Sequence, residues 1–257
     1  MSSSARRALR ILETIGRSEQ PLAVTEIARA MDLPPGTAFR SLDALVKAGL
    51  VARYQSSSRY VMGGAVEQLR RSLLRRFRMR EAVLPYLHQL ASLSGETACL
   101  HVRLGWYGLR IASALGTGEV ANAPVLGETY ILGQHFAGRA MLAVLGGTAV
   151  TRFQNWRATH GIAGTASEGP LTGLRRQGYS AGEEGLAGRA PIAFPLLWGP
   201  GWAAALALEG PVFDGQTKTP EFAAWQAIAS DVKGLARGQP DIFANPFGSL
   251  DPGAFRL

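Results

Sequence analysis

Between Ala8 and Met62, three apolar stripes at helical spacing are set apart by proline and glycine and followed by two short β runs, and this succession restricts the fold more than any other feature. Ala8, Ile11, Leu12 and Ile15 recur at steps of three and four, one buried face of a helix ending at Gly16. After Pro21, Thr25 is positioned to cap a second helix, TEIARAMD, with Ile27, Ala28 and Met31 facing inward. Leu33-Pro34-Pro35-Gly36 interrupts the chain, and prolines are admissible in a first helical turn because those N–H groups lack intrahelical acceptors. In the third helix Ala38, Leu42, Leu45 and Val46 form the inner stripe, leaving Thr37, Phe39, Arg40 and Asp43 nearer the outer face until Gly49 ends it. LVARY and RYVM, separated by Gln55-Ser56-Ser57-Ser58, then read as a hairpin bearing Arg53 and Arg59.

Charge singles out the same region. The net charge of +8 is unevenly spread: residues 1–80 hold 15 Lys plus Arg against 6 Asp plus Glu, and residues 81–257 hold 12 against 13. A basic balance confined to one segment marks where an anionic partner binds, although a solvated basic face gives the same count. Three short helices followed by a basic hairpin describe a winged helix-turn-helix.

The stretch ALRILETIGRSEQPLAVTEIARAMDLPPGTAFRSLDALVKAGLVARYQSSSRYVMG resembles the N-terminal domain of IclR-type transcriptional regulators throughout. The shared features are the A-L-x-I-L opening, E-I-A in helix two, L-P-x-x-T-x-x-R entering helix three, L-x-x-L-x-x-x-G-x-V before the wing and R-Y-x-x-G after it. Departures are Pro35-Gly36, where the family more often has a polar pair, and Ser58 at the wing tip, where it often has Gly. The resemblance implies binding to double-stranded operator DNA, with Thr25, Pro35, Gly36, Thr37, Phe39, Arg40, Arg53 and Arg59 as contact candidates. Arg40 is the first choice for a base, since a guanidinium grips guanine O6 and N7 bidentately. Thr37 either touches DNA or only caps the helix, and Phe39 either packs on a thymine methyl or sugar or only covers the helix edge.

AVEQLRRSLLRRFRMREAVLPYLHQLASLSG follows, with Val66, Leu69, Leu73 and Phe77 forming a seam among arginines. It reads as a linker helix over 66–80 and a further helix over 82–94. One helix-turn-helix reads a half-site, so a homodimer, or a tetramer of two such dimers, is expected.

From residue 81 the elements alternate: strands TACLHVRL and LRIASAL, helices AGRAMLAVL and TAVTRFQNWRATH, strands PIAFPLLW and WAAALALEG, and a helix over 220–237. The whole is an α+β chain: a winged helix-turn-helix (1–65), the linker helix (66–80), a sensor domain with an antiparallel sheet (81–237) and a tail (238–257) read as extended or poorly ordered. The third part resembles the effector-binding domain of IclR-type regulators, a relative of the GAF fold. The resemblance rests on L-x-x-L-x-x-x-x-G-E-T at Leu87 to Thr97, A-G-R-A-x-L-A at Ala137 to Ala143, R-x-x-G-Y at Arg175 to Tyr179, E-x-x-x-G at Glu184 to Gly188, I-A-x-P at Ile192 to Pro195 and A-L-A-L-E-G-P at Ala205 to Pro211. It implies a small-molecule pocket at Tyr130, Phe136, Ala137 and Glu184, for an organic acid or phenol. The start of AGRAMLAVL would offer free N–H groups to a carboxylate. Trp106 and Tyr107 stand as further ring walls or as core packing, His135 as a ligand contact or a satisfied structural histidine, and Glu209 as an exposed strand end.

Other classes are disfavoured. No apolar run reaches membrane-helix length, and MSSSARRALRILETIG has neither a long h-region nor a cleavage site, so a cytoplasmic protein without membrane contact is expected. One cysteine and four scattered histidines offer no zinc spacing, so neither metal nor cofactor is expected. The chain lacks the nucleophile elbow, zincin, P-loop and dinucleotide motifs, leaving Cys99 and His101, on one strand face, as the sole covalent-catalysis pair. An enzyme with an appended DNA-binding module and an architectural DNA binder without effector are the alternatives.

Overall fold

The computed structural model describes residues 3–55, 57–117, 124–162, 168–183 and 188–247. The chain divides into two compact units between Arg75 and Arg76.

In the first unit, α1 (Ser3–Gly16), α2 (Val24–Ala30) and α3 (Pro35–Lys47) pack around Ile11, Ile15, Ile27, Met31, Leu42 and Leu45, joined by Val51 and Tyr60 from the sheet. These are the residues the helical stripes select. Thr25 is not a cap: α2 begins one residue earlier, and Glu26 reaches back to accept from the Ala23 N–H at 2.6 Å. Nor does Thr37 cap α3. Pro34 occupies that position, Pro35 fills the first turn, and the Pro34 carbonyl accepts from the N–H groups of Thr37 and Ala38. Asp32, at φ 52°, turns the chain between α2 and α3. At the far end of α3, Leu50 N–H reaches the Leu45 carbonyl and Gly49 N–H the Val46 carbonyl, with Gly49 at φ 68°, a Schellman ending that needs glycine. The hairpin of β2 (Val51–Arg53) and β3 (Arg59–Met62) gains an unanticipated third strand, β1 (Leu22–Ala23), in the antiparallel order β1-β3-β2.

The expected linker helix over 66–80 is interrupted. α4 (Gly64–Arg76) stops at the division, and α5 (Met79–Ser94) restarts after Phe77 and Arg78, three residues before the expected start. Phe77 is buried in the second unit against Phe247.

The second unit is built on an antiparallel sheet of β4 (Ala98–Leu104), β5 (Tyr107–Ala114), β6 (Thr129–Ile131), β7 (Ser180–Ala181), β8 (Ala190–Gly199) and β9 (Trp202–Phe213). Its order is β6-β5-β4-β9-β8-β7. Ala203, Ala205 and Ala207 on β9 are small, which lets α6 (Phe136–Leu145) lie close on that face, with α7 (Gly147–Thr159) and α8 (Glu168–Gln177) beside it. α5 and α9 (Pro220–Gly238) pack together against the sheet. Two edge strands, α8 and a one-turn 3-10 helix (Leu132–Gln134) were not foreseen, being too short or too weakly periodic to stand out. Gly138 explains the A-G-R motif: a Cβ there would overlap the Leu132 carbonyl, so glycine sets how closely α6 meets that turn. Arg139 ties α6 to the sheet edge by donating to the Ala181 carbonyl at 3.0 Å.

The expectation of a loose tail is corrected for its first part. Phe243 is buried edge-on to Trp198, and Trp202 Nε1 donates to the Phe243 carbonyl at 2.9 Å. No helix among the described residues is long and apolar enough to cross a membrane.

Candidate functional site

The first unit presents an exposed face around the start of α3. Ala38, Leu42 and Leu45 point into the core, so Phe39, 46% exposed, and Arg40 point outward. Pro35 and Gly36 are exposed in the first turn, Thr37 is half-buried beside them, and Thr25 is exposed in the first turn of α2. Asp43, one turn beyond Arg40, is paired with Lys47 at 2.8 Å, which offsets a carboxylate that would otherwise oppose phosphate. The two wing arginines differ. Arg53 is exposed on β2, whereas Arg59 on β3 donates to the Pro21 carbonyl at 2.7 Å and pairs with Glu26 at 3.1 Å. Arg59 therefore braces β3 against the start of α2 as well as adding charge to the wing.

The second unit holds a buried polar network on the sheet face covered by α6. Cys99 and His101 alternate onto this face of β4, opposite Ala207 and Ala205, and Glu209 continues the same row of β9. A bulge in β5 sets Ala112 opposite Leu100 but Arg110 opposite His101, leaving Ile111 extra and turning Arg110 onto the face. The Ile111 carbonyl is satisfied by Arg80. His101 Nε2 lies 2.9 Å from Glu209 Oε1, Tyr130 Oη lies 2.9 Å from His101 Nδ1, and Arg110 donates to Glu209 at 3.2 Å and to Glu128. With His101 neutral, Nε2–H donates to Glu209 and the Tyr130 hydroxyl donates to Nδ1, so every partner is used. His135 stacks between Tyr130 and Phe136, with ring centroids 4.0 Å and 4.5 Å away, and its Nδ1 accepts from the Ala137 N–H at 3.2 Å.

Burial dominates the electrostatics. It lowers the pKa of His101 despite the facing Glu209, and together with the neighbouring His101 imidazole it lowers that of His135 to about 4. Burial works to raise Glu209, but the His101 hydrogen bond and the charges around it, Arg110 included, outweigh this and hold the carboxyl at about 2. A neutral His101 donating Nε2–H to a Glu209 carboxylate that Arg110 also stabilises is the consistent state. Burial also pushes the Cys99 thiol up, with the Glu209 charge adding to it. A thiol kept protonated is a poor nucleophile, so Cys99 and His101 do not form an activated catalytic pair.

Of the expected effector residues, the structure brings Tyr130, Phe136 and Ala137 together. Phe136 and Ala137 are core residues of α6, and the Ala137 N–H is already taken by His135, so the helix start is less free for an anion than expected. Glu184 lies outside the described residues. Trp106 and Tyr107 are core, packed on Phe153 and Trp156. Glu209 is not an exposed strand end but the acceptor at the centre of the network. Sequence reasoning passed over Arg110, Glu128 and Glu209 as site residues; the i, i+2 spacing of Cys99 and His101 was the one visible trace.

The family model for the IclR helix-turn-helix domain matches residues 4–54. The chain is similar to the transcriptional repressor IclR of Escherichia coli K12, 26% identical over 189 residues that span 70% of this chain and 69% of the relative. It is likewise similar to the HTH-type transcriptional regulator BhcR of Paracoccus denitrificans, 28% identical over 218 residues, 80% of this chain and 76% of that one. Its fold is shared with an IclR homolog from Microbacterium hydrocarbonoxydans crystallised with 4-hydroxybenzoate, at 21% identity and a TM-score of 0.70 over 92% of this chain and 100% of the other. The chain therefore carries an IclR helix-turn-helix domain at residues 4–54, is similar over most of its length to IclR-type transcriptional regulators, and shares their fold.

Proposed function

We propose that the protein is a cytoplasmic regulator that binds operator DNA as a homodimer, or as a tetramer of two dimers, and releases or rearranges on that DNA when its sensor unit binds a small organic acid or phenol. One observation carries the DNA reading: the outward stripe of α3, with Arg40 and Phe39 exposed opposite the buried Ala38, Leu42 and Leu45, within the first 80 residues, which hold the whole cationic excess. Such a helix start enters a major groove, where Arg40 reaches a guanine edge, Thr37 and Thr25 reach bases or phosphates, and the wing arginines Arg53 and Arg59 meet the backbone. Residues 1–65 serve as the DNA-binding domain and 81–237 as the sensor. Pairing is supported by Leu69, 62% exposed on α4 among arginines, where a second copy would cover it.

The ligand reading is supported by the aromatic stack of Tyr130, His135 and Phe136 beside polar groups on the α6 face of the sheet, with Glu184 a further effector candidate from the family resemblance alone. A related fold holds 4-hydroxybenzoate, which combines the two ligand chemistries, carboxylate and phenol. Thermal-shift screening of small carboxylates and phenols, followed by gel shift on the upstream DNA of the protein's own gene, tests both halves, since a ligand selective for the native state raises its stability. A stabilising compound that also changes DNA affinity supports the regulator. DNA binding that no stabilising compound alters would mark an architectural binder.

A further inference from the structure

Cys99, His101 and Glu209 offer one thiol, one imidazole and one carboxylate, and their donor atoms all lie within 4.8 Å of one another. We propose that Cys99 Sγ, His101 Nε2 and a Glu209 carboxylate oxygen form a three-donor site for a zinc-class divalent cation, leaving a fourth position for water or an anionic ligand. The inference does not depend on the effector reading.

Three observations carry it. The backbone sets the donors in advance: Cys99 and His101 stand two residues apart on one face of β4, and Glu209 stands on the same face of β9, whose pairing with β4 fixes the spacing. Tetrahedral zinc at about 2.0–2.3 Å from each donor needs donor–donor separations of about 3.5 Å, so side-chain rotations of an ångström or so close the site. Second, the outer shell exists. A metal-bound histidine normally donates its other ring N–H to an oxygen, and Tyr130 Oη already sits 2.9 Å from His101 Nδ1. Third, the charge balance favours a cation. One guanidinium, Arg110, faces two carboxylates, Glu128 and Glu209, so the network carries an excess negative charge while Cys99 is a thiol. A divalent ion with a Cys99 thiolate adds one net positive charge and cancels it. Glu209 carries two oxygens, one for Arg110 and one for the metal.

The donor set selects the ion. Thiolate and imidazole favour zinc and its neighbours over magnesium or calcium, which prefer all-oxygen shells. The step balances without redox change: the Cys99 S–H bond breaks, the sulfur–metal bond forms, and one proton leaves to solvent. His101 stays neutral, its proton moving from Nε2 to Nδ1, where the Tyr130 hydroxyl turns from donor to acceptor.

Cobalt(II) tests this directly, because Cys99 is the sole cysteine and a sulfur-to-cobalt charge-transfer band can come from nowhere else. The full chain, free of any histidine tag and stripped with chelator, is titrated with cobalt(II) in the absence of DNA and small molecules. We expect the near-ultraviolet band to saturate at one equivalent and to vanish on adding zinc(II). Cys99→Ser should abolish the band, and Glu209→Gln should weaken cobalt binding by about tenfold or more, with circular dichroism confirming the native fold. Folded wild-type protein that binds no cobalt, or binds it without the band, overturns the proposal. So does an unchanged affinity in folded Glu209→Gln. If Cys99→Ser does not fold, the wild-type spectrum and Glu209→Gln decide. Failure here leaves the ligand screen unaffected, since that screen reads organic compounds alone.

Discussion

Gly108 and Tyr130 are direct partners across β5 and β6, and a Cβ on Gly108 would overlap the Tyr130 ring. The missing side chain is what lets Tyr130 lie over the sheet and bring its hydroxyl to His101. Gly108→Ala should therefore displace Tyr130 and cost about 1–3 kcal/mol, the usual penalty for overpacking a filled site. Urea denaturation measures this. Adding Tyr130→Ala to Gly108→Ala should recover part of the loss caused by overlap, and strictly additive effects would show that the two residues do not compete for space.

Arg40→Ala should lower operator affinity by about 1–3 kcal/mol and relax preference at one position of each half-site. Binding measured across a set of single-base operator variants distinguishes this from a phosphate clamp, whose removal weakens all sequences alike.

The wing arginines should separate in salt titrations. Arg53→Ala should reduce the slope of log affinity against log salt by about one, as one phosphate contact is lost. Arg59→Ala should change the slope less, because Glu26 and the Pro21 carbonyl compete for the same guanidinium. It should instead loosen the junction of β3 with α2, an effect of about 0–1 kcal/mol for an exposed pair. Equal slope changes would place Arg59 on phosphate in the complex.

Acidification should weaken the second unit. His135, at about 4 in the folded chain against 6.5 when free, takes up its proton more readily unfolded, so its contribution is present above pH 6.5 and is lost as pH falls from there towards 4. The lowered His101 acts in the same direction, while Glu209, lowered to about 2 from 4.5, begins to lose its contribution only as pH falls through about 4.5 towards 2. From pH 7 to pH 5 the loss through His135 should be about 1–2 kcal/mol. His135→Asn, which retains a capping acceptor for the Ala137 N–H but does not titrate, should flatten the pH dependence of chemical denaturation. A wild-type midpoint constant between pH 7 and 5 would contradict the buried neutral imidazole.

Phe136 makes a poor probe of ligand binding alone. It is a buried member of the α6 core, so Phe136→Ala should cost about 3–5 kcal/mol of stability before any effect on a ligand is read. Tyr130→Phe, which removes only the hydroxyl, keeps the ring stack and isolates its polar contribution.

The sequence by itself determined the parts that depend on neighbours along the chain. The stripes at Ile11 and Ile15, at Ile27 and Met31 and at Leu42 and Leu45 meet in one core because a helix brings residues three and four apart onto one face. That local geometry also left Phe39 and Arg40 outside. Even there, caps escaped the reading, since Glu26 satisfying the Ala23 N–H and Pro34 beginning α3 depend on which side chain actually reaches a free backbone group. The polar network was decided by tertiary structure alone. Glu209 lies 108 residues from His101 and meets it only because β9 pairs with β4, and Arg110 joins them only because one extra residue, Ile111, bulges out of β5. Strand pairing and a one-residue register shift leave no periodic trace in sequence, yet they fix which charges are buried together, and burial sets the protonation of His101, His135 and Cys99.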